Sequence, residues 1–224
     1  MANFVTLTLD TTSPIGNGVA LNGGSLFSAV QLVNATISTT DTPTTGYQMK
    51  IFGNVDLAYN ANIQATEETS TWITYNPTLQ VKLSAGDGVK SVSVKLRDDV
   101  LNESVVATQT ITLDTSIPVV TVSAPDVAKI SKVATKNTAV FTFSADSDFV
   151  AYTVRACEEA STHGQGTEIG TTGASINTSG SGAFPASTPI TVTITGADLD
   201  EATEGDGAKI VKVFVQDTSG NWSV

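Results

Sequence analysis

The chain has 224 residues, enough for one large domain or for two domains of about 100 residues that each bury a core. Its 22 acidic and 11 basic side chains give a net charge of −11, so a nucleic-acid backbone or an anionic membrane surface would repel it. The single cysteine, Cys157, excludes a disulfide within the chain, and no stretch is apolar enough for a membrane-spanning helix. We therefore expect neither nucleic-acid binding nor membrane insertion.

The first predicted element is a short alternating segment at the N-terminus, from Phe4 to Asp10. The sequence TLTLDTTSP, which begins at Thr6, returns 104 residues later as TITLDTSIP from Thr110. In the later copy, the alternation of apolar and polar residues predicts a β-strand that ends a repeated unit. Residues 1–13 therefore resemble the final strand of a repeat.

Two units follow, unit 1 over residues 14–117 and unit 2 over residues 118–224, and each contains four alternating segments. The apolar positions are Val33, Ala35, Ile37, Tyr47, Met49, Ile51, Leu79, Val81, Leu83, Val92, Val94 and Leu96 in unit 1, and Ala139, Phe141, Phe143, Tyr152, Val154, Ile190, Val192, Ile194, Val211, Val213 and Val215 in unit 2. One apolar face per strand predicts antiparallel sheets that pack face to face. No helical period is sustained, so the sequence predicts an all-β fold.

The strongest repeat lies near the end of each unit. GDGVKSVSVKLRDDVLNESV begins at Gly86, GDGAKIVKVFVQDTSGNWSV begins at Gly205, and ten of the 20 aligned residues are identical. Here the spacing is 119 residues, so unit 2 carries a net insertion of 15 residues relative to the first match. We predict this insertion in the Gly/Ser/Thr-rich stretch Ser161–Gly182.

The order GDG-x-K-x-V-x-V-x-x-x-D, then an Asn-x-Ser turn, then x-I-T-L-D-T-x-x-P, resembles the bacterial and phage Ig-like repeat family. The resemblance covers nearly the whole chain and implies two tandem immunoglobulin-like antiparallel β-sandwiches. Family members occur in bacteriophage virion proteins, in bacterial adhesins and as spacer modules beside carbohydrate-active enzymes. Unit 1 departs from the pattern at Val100–Leu101, where unit 2 has Ser219–Gly220, which leaves the type of turn in unit 1 open.

The sequence offers little catalytic chemistry. The single histidine, His163, lies in a Ser/Thr/Gly-rich stretch without spaced partners, and the signature of a serine hydrolase is absent. We therefore predict no catalytic residues, no enzymatic activity and no cofactor. Acidic residues near strand ends could bind Ca²⁺, with Asp206 and Asp217 as the candidate ligands, but Asp also stabilises turns without any metal. The prediction for a metal is accordingly none.

The two units are predicted to differ at their last strand. In unit 1 the Asn-x-Ser turn leads into a final strand from Val105 to Asp114, whereas unit 2 reaches Val224 where that strand should begin. One hypothesis is β-strand addition, in which the N-terminal strand of a neighbouring copy completes unit 2. The residues assigned to this contact are Phe4, Val5, Leu7, Leu9 and Val224. The other hypothesis is that residues 2–10 pack on their own unit 1 and unit 2 closes with one strand fewer.

These features favour a structural protein of a bacteriophage virion, as a capsid decoration protein or an accessory tail or collar component. The N-terminal sequence MANFVTLTLD lacks the features of a secretory signal, so we expect the chain to be made in the host cytoplasm and exposed on the particle surface. The expected partners are other capsid or tail proteins, further copies of the chain and, weakly, glycans of the host surface. The alternative is an Ig-like fragment of a bacterial adhesin or a spacer module of a secreted carbohydrate-active enzyme.

Overall fold

The computed structural model describes residues 5–224, and the chain divides into two compact units between Thr115 and Ser116. Both units are β-sandwiches, as the alternation of apolar residues predicts. The one α-helix in the described residues is short, and no helix there has the length and apolar character to span a membrane.

Unit 1 consists of eight strands in two sheets. The strands are β1 (Gly18–Leu21), β2 (Phe27–Ser28), β3 (Leu32–Ser38), β4 (Gln48–Gly53), β5 (Ile73–Thr74), β6 (Thr78–Lys82), β7 (Gly88–Arg97) and β8 (Ala107–Leu113). One sheet has the order β1-β3-β6, and the other has the order β2-β8-β7-β4-β5. All neighbours are antiparallel except β2 and β8, which are parallel.

The core of unit 1 is aliphatic and is formed by the inward face of each strand. β3 and β7 show the pattern most clearly, since every second residue is buried along β3 and along β7 from Lys90 onward. The final strand β8 contributes Ile111 and Leu113, which are both 1% exposed. The last strand is therefore an integral part of this core.

Unit 2 repeats most of this arrangement. Its elements are β9 (Val120–Val122), β10 (Thr138–Ala145), β11 (Phe149–Ala156), β12 (Thr167–Glu168), β13 (Ser179–Phe184), β14 (Ile190–Thr195), helix α1 (Gly196–Ala202) and β15 (Val211–Asp217). One sheet has the order β14-β10-β9. In the other sheet, β11 pairs with β15 along one edge and with β12 and β13 along the opposite edge.

Aromatic rings fill much of the core of unit 2. Phe143 lies 5.1 Å from Tyr152 between ring centroids, and Phe149 stacks on Phe184 at 4.9 Å. Tilted and offset ring pairs of this kind add to the free energy gained from burying their area. Unit 2 therefore has its own aromatic core, separate from the aliphatic core of unit 1.

The same hydrogen-bonded turn follows the long strand of each unit. In unit 1 one carboxylate oxygen of Asp98 accepts the backbone N–H of Asn102 at 2.8 Å, and the other accepts its side-chain amide at 2.8 Å. In unit 2 Asp217 and Asn221 make the same two bonds at 2.8 and 2.9 Å. Both carboxylates are buried, so these bonds compensate for lost hydration. The Asp and Asn of the repeat are therefore turn-forming residues.

The departure at Val100–Leu101 leaves this turn unchanged. Leu101 has φ 71° and Gly220, at the corresponding position, has φ 98°. A side chain in this left-handed region costs about 1–2 kcal/mol, which glycine avoids. Unit 1 thus forms the turn of unit 2 with a strained leucine in place of glycine.

Unit 2 exceeds unit 1 in length at two places. Residues 157–189 lie between β11 and β14, where unit 1 has residues 54–77 between β4 and β6. Residues 196–204, including α1, precede the Gly205 turn, where unit 1 has only residues 83–85. The sequence predicted the whole insertion at Ser161–Gly182. The structure divides it between these two places. The sequence did not reveal the second place, because a helix of seven residues is too short to show a helical period.

A buried carboxylate, Asp198, links these two longer segments. Its oxygens accept the backbone N–H groups of Gly173 at 2.5 Å and Ser175 at 2.9 Å, and the hydroxyl of Thr195 at 2.9 Å. Burial raises the pKa of this carboxyl group, but the bonds from Ser175, Gly173 and Thr195 outweigh burial and leave the pKa below its ordinary value. Asp198 therefore holds the insertion against helix α1 in its charged form.

Exchanging glycine and leucine in the two turns tests the strain at Leu101. We expect Leu101→Gly to raise the free energy of unfolding of unit 1 by about 0.5–1 kcal/mol, and Gly220→Leu to lower that of unit 2 by about 1–2 kcal/mol. Each unit has one tryptophan, Trp72 or Trp222, so urea unfolding followed by fluorescence in Trp→Phe backgrounds reports each unit separately. Stabilisation by Gly220→Leu would contradict the argument.

Replacing the buried carboxylate tests its role in unit 2. We expect Asp198→Asn to lower the free energy of unfolding at pH 7 by about 2–3 kcal/mol, because an amide leaves buried N–H donors without an acceptor. The folded-state pKa is lowered, so this stabilisation is complete above the unfolded pKa near 3.8 and is lost as the pH falls through the folded value. Urea unfolding at several pH values should show the difference from the parent shrinking below about pH 4. The exposed Glu204→Gln is the control and should change little.

Candidate assembly site

The edge that distinguishes the two units is occupied in unit 1 by β8. Strand β8 pairs with β7 over seven residues, with Ile111 opposite Lys90 and Leu113 opposite Gly88. Just beyond the strand, Asp87 accepts the backbone N–H of Thr115 at 2.9 Å and its hydroxyl at 2.8 Å. The final strand of unit 1 is therefore held by its backbone, by its buried side chains and by a polar contact at its end.

The corresponding edge of unit 2 is open. Ser223 donates its backbone N–H to Val215 at 2.9 Å, just as Ser104 does to Leu96 in unit 1 at 2.8 Å. Over residues 207–213, which correspond to the part of β7 that pairs with β8, no strand within residues 5–224 lies along this edge of β15. Residues 207–210 are in no strand at all, whereas their equivalents begin β7. The part of β15 that is shorter than β7 thus coincides with the stretch where β7 pairs only with β8.

The turn before the open edge already has the geometry of the filled one. Gly86 and Gly205 have φ of 81° and 82°, and Gly88 and Gly207 have φ of 121° and 131°. Backbone of this kind is readily available only to glycine. At both glycines the Gly-Asp-Gly turn of unit 2 therefore has the same left-handed backbone as the turn that leads into β7.

The lysine after the turn is also placed in the same way in both units. Lys90 donates its ammonium group to the carbonyl of Ala85 at 3.2 Å, and Lys209 donates to the carbonyl of Glu204 at 3.0 Å. These are equivalent positions in the 119-residue repeat. In unit 1 the stem of this lysine is buried beside the final strand, and in unit 2 it is only partly buried. Unit 2 thus has the lysine and the turn that lie beside the final strand of unit 1, without such a strand in the described residues.

The N-terminal segment carries the donor sequence but forms no strand in the described residues. Leu7 and Leu9 match Ile111 and Leu113 in the 104-residue repeat, yet they are 86% and 88% exposed. Val5 is also exposed, and Phe4 lies outside the described residues. The second hypothesis for the N-terminus requires these apolar side chains to pack on unit 1. In the structure Val5, Leu7 and Leu9 do not pack there.

The base of the N-terminal segment is attached to unit 1. Asn102 donates its side-chain amide to the carbonyl of Asp10 at 3.3 Å, and the Asp10 carboxylate accepts the backbone N–H of Thr12 at 2.9 Å. Val224 is exposed and lies beyond the last turn, at the position that Val105 occupies before β8. Val224 is thus equivalent to the residue that precedes the final strand in unit 1, and it lies outside the open stretch 207–213.

The two candidate calcium ligands occupy different environments. Asp217 is buried and accepts the backbone N–H groups of Ser219 and Asn221, each at 2.8 Å, in addition to the Asn221 amide. Asp206 is exposed in the Gly-Asp-Gly turn and corresponds to Asp87, the acceptor of the Thr115 contact. Within residues 5–224 no group of three acidic, histidine or cysteine side chains could hold a metal ion. The geometry assigns Asp217 to a turn and places Asp206 at the open edge.

His163 packs against aromatic rings on the outer face of β15. Its ring stacks on Trp222 with 3.4 Å between centroids and 4° between planes, and it meets Phe214 edge-on at 6.0 Å. Burial, followed by the charge of Arg155, lowers the pKa of His163 below its ordinary value. The neutral imidazole is therefore part of the cover over the buried Phe214.

The sequence did not single out the residues of the acceptor edge, Ala208, Lys209 and Ile210. They also line a groove of about 380 Å³, together with the half-buried Cys157 and other residues of the neighbouring segments. A signal for them was present in the sequence: the Gly-Asp-Gly repeat aligns them with the residues that β8 contacts in unit 1. Only the paired structure of unit 1 shows what that alignment means.

No protein-family model and no curated protein sequence matches this chain significantly. Among solved structures, it is similar to the fibronectin(III)-like modules of Clostridium thermocellum CbhA, with 11% sequence identity and a TM-score of 0.46. That alignment covers 92% of this chain and 89% of the other.

The stacked histidine predicts a pH dependence for unit 2. Because the folded-state pKa of His163 is lowered, the unfolded chain takes up a proton first, and stability falls as the pH drops from about 6.5 to the folded value. We expect His163→Phe, which keeps a ring against Trp222, to remove this part of the pH dependence. Urea unfolding between pH 7.5 and 5 measures it, and His163 is the only histidine in the chain. An unchanged pH dependence in the variant would contradict the assignment.

Proposed function

We propose that this chain is a non-enzymatic structural protein of a bacteriophage virion, a capsid decoration protein or an accessory tail or collar component that presents Ig-like units outward. The observation that carries the proposal is the unequal edge of the two sandwiches. Within residues 5–224 one edge of unit 2 is unpaired, and the same chain carries an exposed segment similar in sequence to the strand that fills this edge in unit 1. A protein built in this way is suited to assembly.

The polar groups that the structure brings together support a structural role. His163 serves as a ring that covers Phe214, and the Asp and Asn side chains of the repeats form turns. The surface has a net negative charge and many Thr, Ser and Asn side chains, which suits weak contacts with glycans of a host surface. The virion as the place of assembly rests on the resemblance of the repeats to phage Ig-like modules.

The alternative function is an Ig-like part of a bacterial adhesin, or a spacer module of a secreted carbohydrate-active enzyme. Both alternatives use the same fold, and an open sheet edge serves equally in a chain of surface modules. They differ from the proposal in location, since an adhesin is found on the cell envelope and a spacer is found with its enzyme.

Immunogold electron microscopy with antibodies against the purified chain tests the location. We expect gold on phage particles purified from lysed host cells, at one fixed place such as the capsid surface or the collar. Pre-incubating the antibody with the purified chain is the control and should abolish the label. Gold on the envelope of intact bacteria, with none on the particles, would overturn the proposal in favour of an adhesin.

A further inference from the structure

We propose that the open edge of unit 2 takes residues 5–11 of a second copy as an antiparallel strand, in the register that β8 has on β7. This inference rests on the proposed structural function and names its partner and its contact. It assigns Leu7 and Leu9 as the donor side chains, and Lys209 and Gly207 as the acceptor positions opposite them.

The register follows from the two repeats. Leu113 lies opposite Gly88 and Ile111 lies opposite Lys90 in unit 1. Moving β8 by its 104-residue repeat and β7 by its 119-residue repeat places Leu9 opposite Gly207, Leu7 opposite Lys209 and Val5 opposite Val211. Both leucines then face the core of unit 2, as their equivalents face the core of unit 1. A slip of one residue would turn them to solvent.

Backbone groups of the acceptor are available in the same register. Thr112 donates its N–H away from β7, to Leu26 at 2.8 Å, so the residues of β7 that exchange backbone hydrogen bonds with β8 are Gly88, Lys90 and Val92. In unit 2 these positions are Gly207, Lys209 and Val211. Ile210, between the last two, already uses its carbonyl to accept from Cys157 at 3.0 Å on the other side.

A polar contact at the end of the strand completes the match. In unit 1 Asp87 accepts both the N–H and the hydroxyl of Thr115. The same repeats place Thr11 of the donor beside Asp206 of the acceptor, and both residues are present and exposed. The donor strand thus matches the acceptor edge in three ways: in the paired backbone positions, in the inward-facing leucines, and in the Thr and Asp at the end of the strand.

The connection after the strand favours a second copy as the source. The carbonyl of Asp10 accepts a hydrogen bond from Asn102 of its own unit 1, and the leucines before it are exposed. Residues 11–17 then lead into β1, just as residues 114–119 lead from β8 into β9. A strand that is followed by unit 1 continues the array in the way that β8 continues into unit 2.

Disulfide cross-linking between two different single-cysteine chains tests the register directly. Both carry Cys157→Ser; one carries Thr8→Cys and the other Ala208→Cys. These positions correspond to Thr112 and Val89, a pair without mutual backbone hydrogen bonds, whose short Cα separation suits a disulfide. After mixing and mild oxidation, we expect a linked heterodimer of twice the chain mass on a non-reducing gel.

The off-register pair Thr6→Cys with Ala208→Cys is the matched control and should yield about tenfold less heterodimer, since its Cα atoms lie too far apart. Equal yields for the two pairs, or no heterodimer, would overturn the proposal. A chain that carries both Thr8→Cys and Ala208→Cys tests for closure within one copy. A disulfide in that chain at monomer mass, together with no linkage in the mixture, would also overturn it.

A matched pair of charges tests the donor face. In the Thr8→Cys chain we expect Leu7→Asp to lower the heterodimer yield about tenfold, because it would bury a carboxylate, and Thr6→Asp on the outer face to change it little. Equal effects would exclude the proposed orientation of the strand.

The cross-link and the gold label fail independently. A heterodimer without label on particles would sustain strand exchange and refute the virion. Label on particles without a heterodimer would sustain the virion and refute a second copy as the donor, as expected if another virion protein supplies the strand.

Discussion

Pairing of the last strand is the interaction that sets the difference between the two sandwiches. A strand at the edge of a sheet presents unpaired N–H and C=O groups, and its neighbour in the core loses part of its cover. In unit 1 β8 removes both costs, since it pairs with β7 and buries Ile111 and Leu113. In unit 2 β15 is left with pairing on one side over residues 211–213, and the preceding residues leave the strand conformation. The difference between the units is therefore one strand, with its consequences confined to one edge.

What the two units share is the framework that receives that strand. The Gly-Asp-Gly turn, the lysine after it and the Asp-Asn turn at the far end have the same geometry in both units. None of these features requires β8, because each is held by local backbone and side-chain contacts. The turns that flank the acceptor edge of unit 2 thus have the geometry of those in unit 1, while residues 207–210 between them are not in a strand and would have to extend to pair with a donor.

Alternation of apolar residues was sufficient to predict the longer strands that fill each core, because only one face of each strand enters the core. It did not predict β1, β2, β5, β9, β12 and β13, which are short or lack a regular apolar alternation. Helix α1 was not predicted, since its seven residues are too few to show a helical period of apolar positions. Asp198 could not be distinguished from turn-forming aspartates, because its partners Gly173 and Ser175 come from a distant loop. The sequence offers Asp206 as a candidate calcium ligand. Its equivalence to Asp87 indicates a contact with the end of a strand only when the hydrogen bond from Thr115 to Asp87 is known. The spacing of a repeat shows which residues are equivalent, whereas the residues that contact them are known only from the fold.

In the proposed assembly each copy offers one donor strand and one acceptor edge, since β8 already fills unit 1. Two closed arrangements pair every donor strand with an acceptor edge: reciprocal exchange within a two-fold pair, or one-way donation around a ring. Both bury the same face in the same register, so the local chemistry is independent of the symmetry. Specificity also comes from the register, because the register that puts Leu7 and Leu9 at the positions of Ile111 and Leu113 also places Thr11 beside Asp206. A foreign strand would need the same apolar spacing and the same polar end to compete.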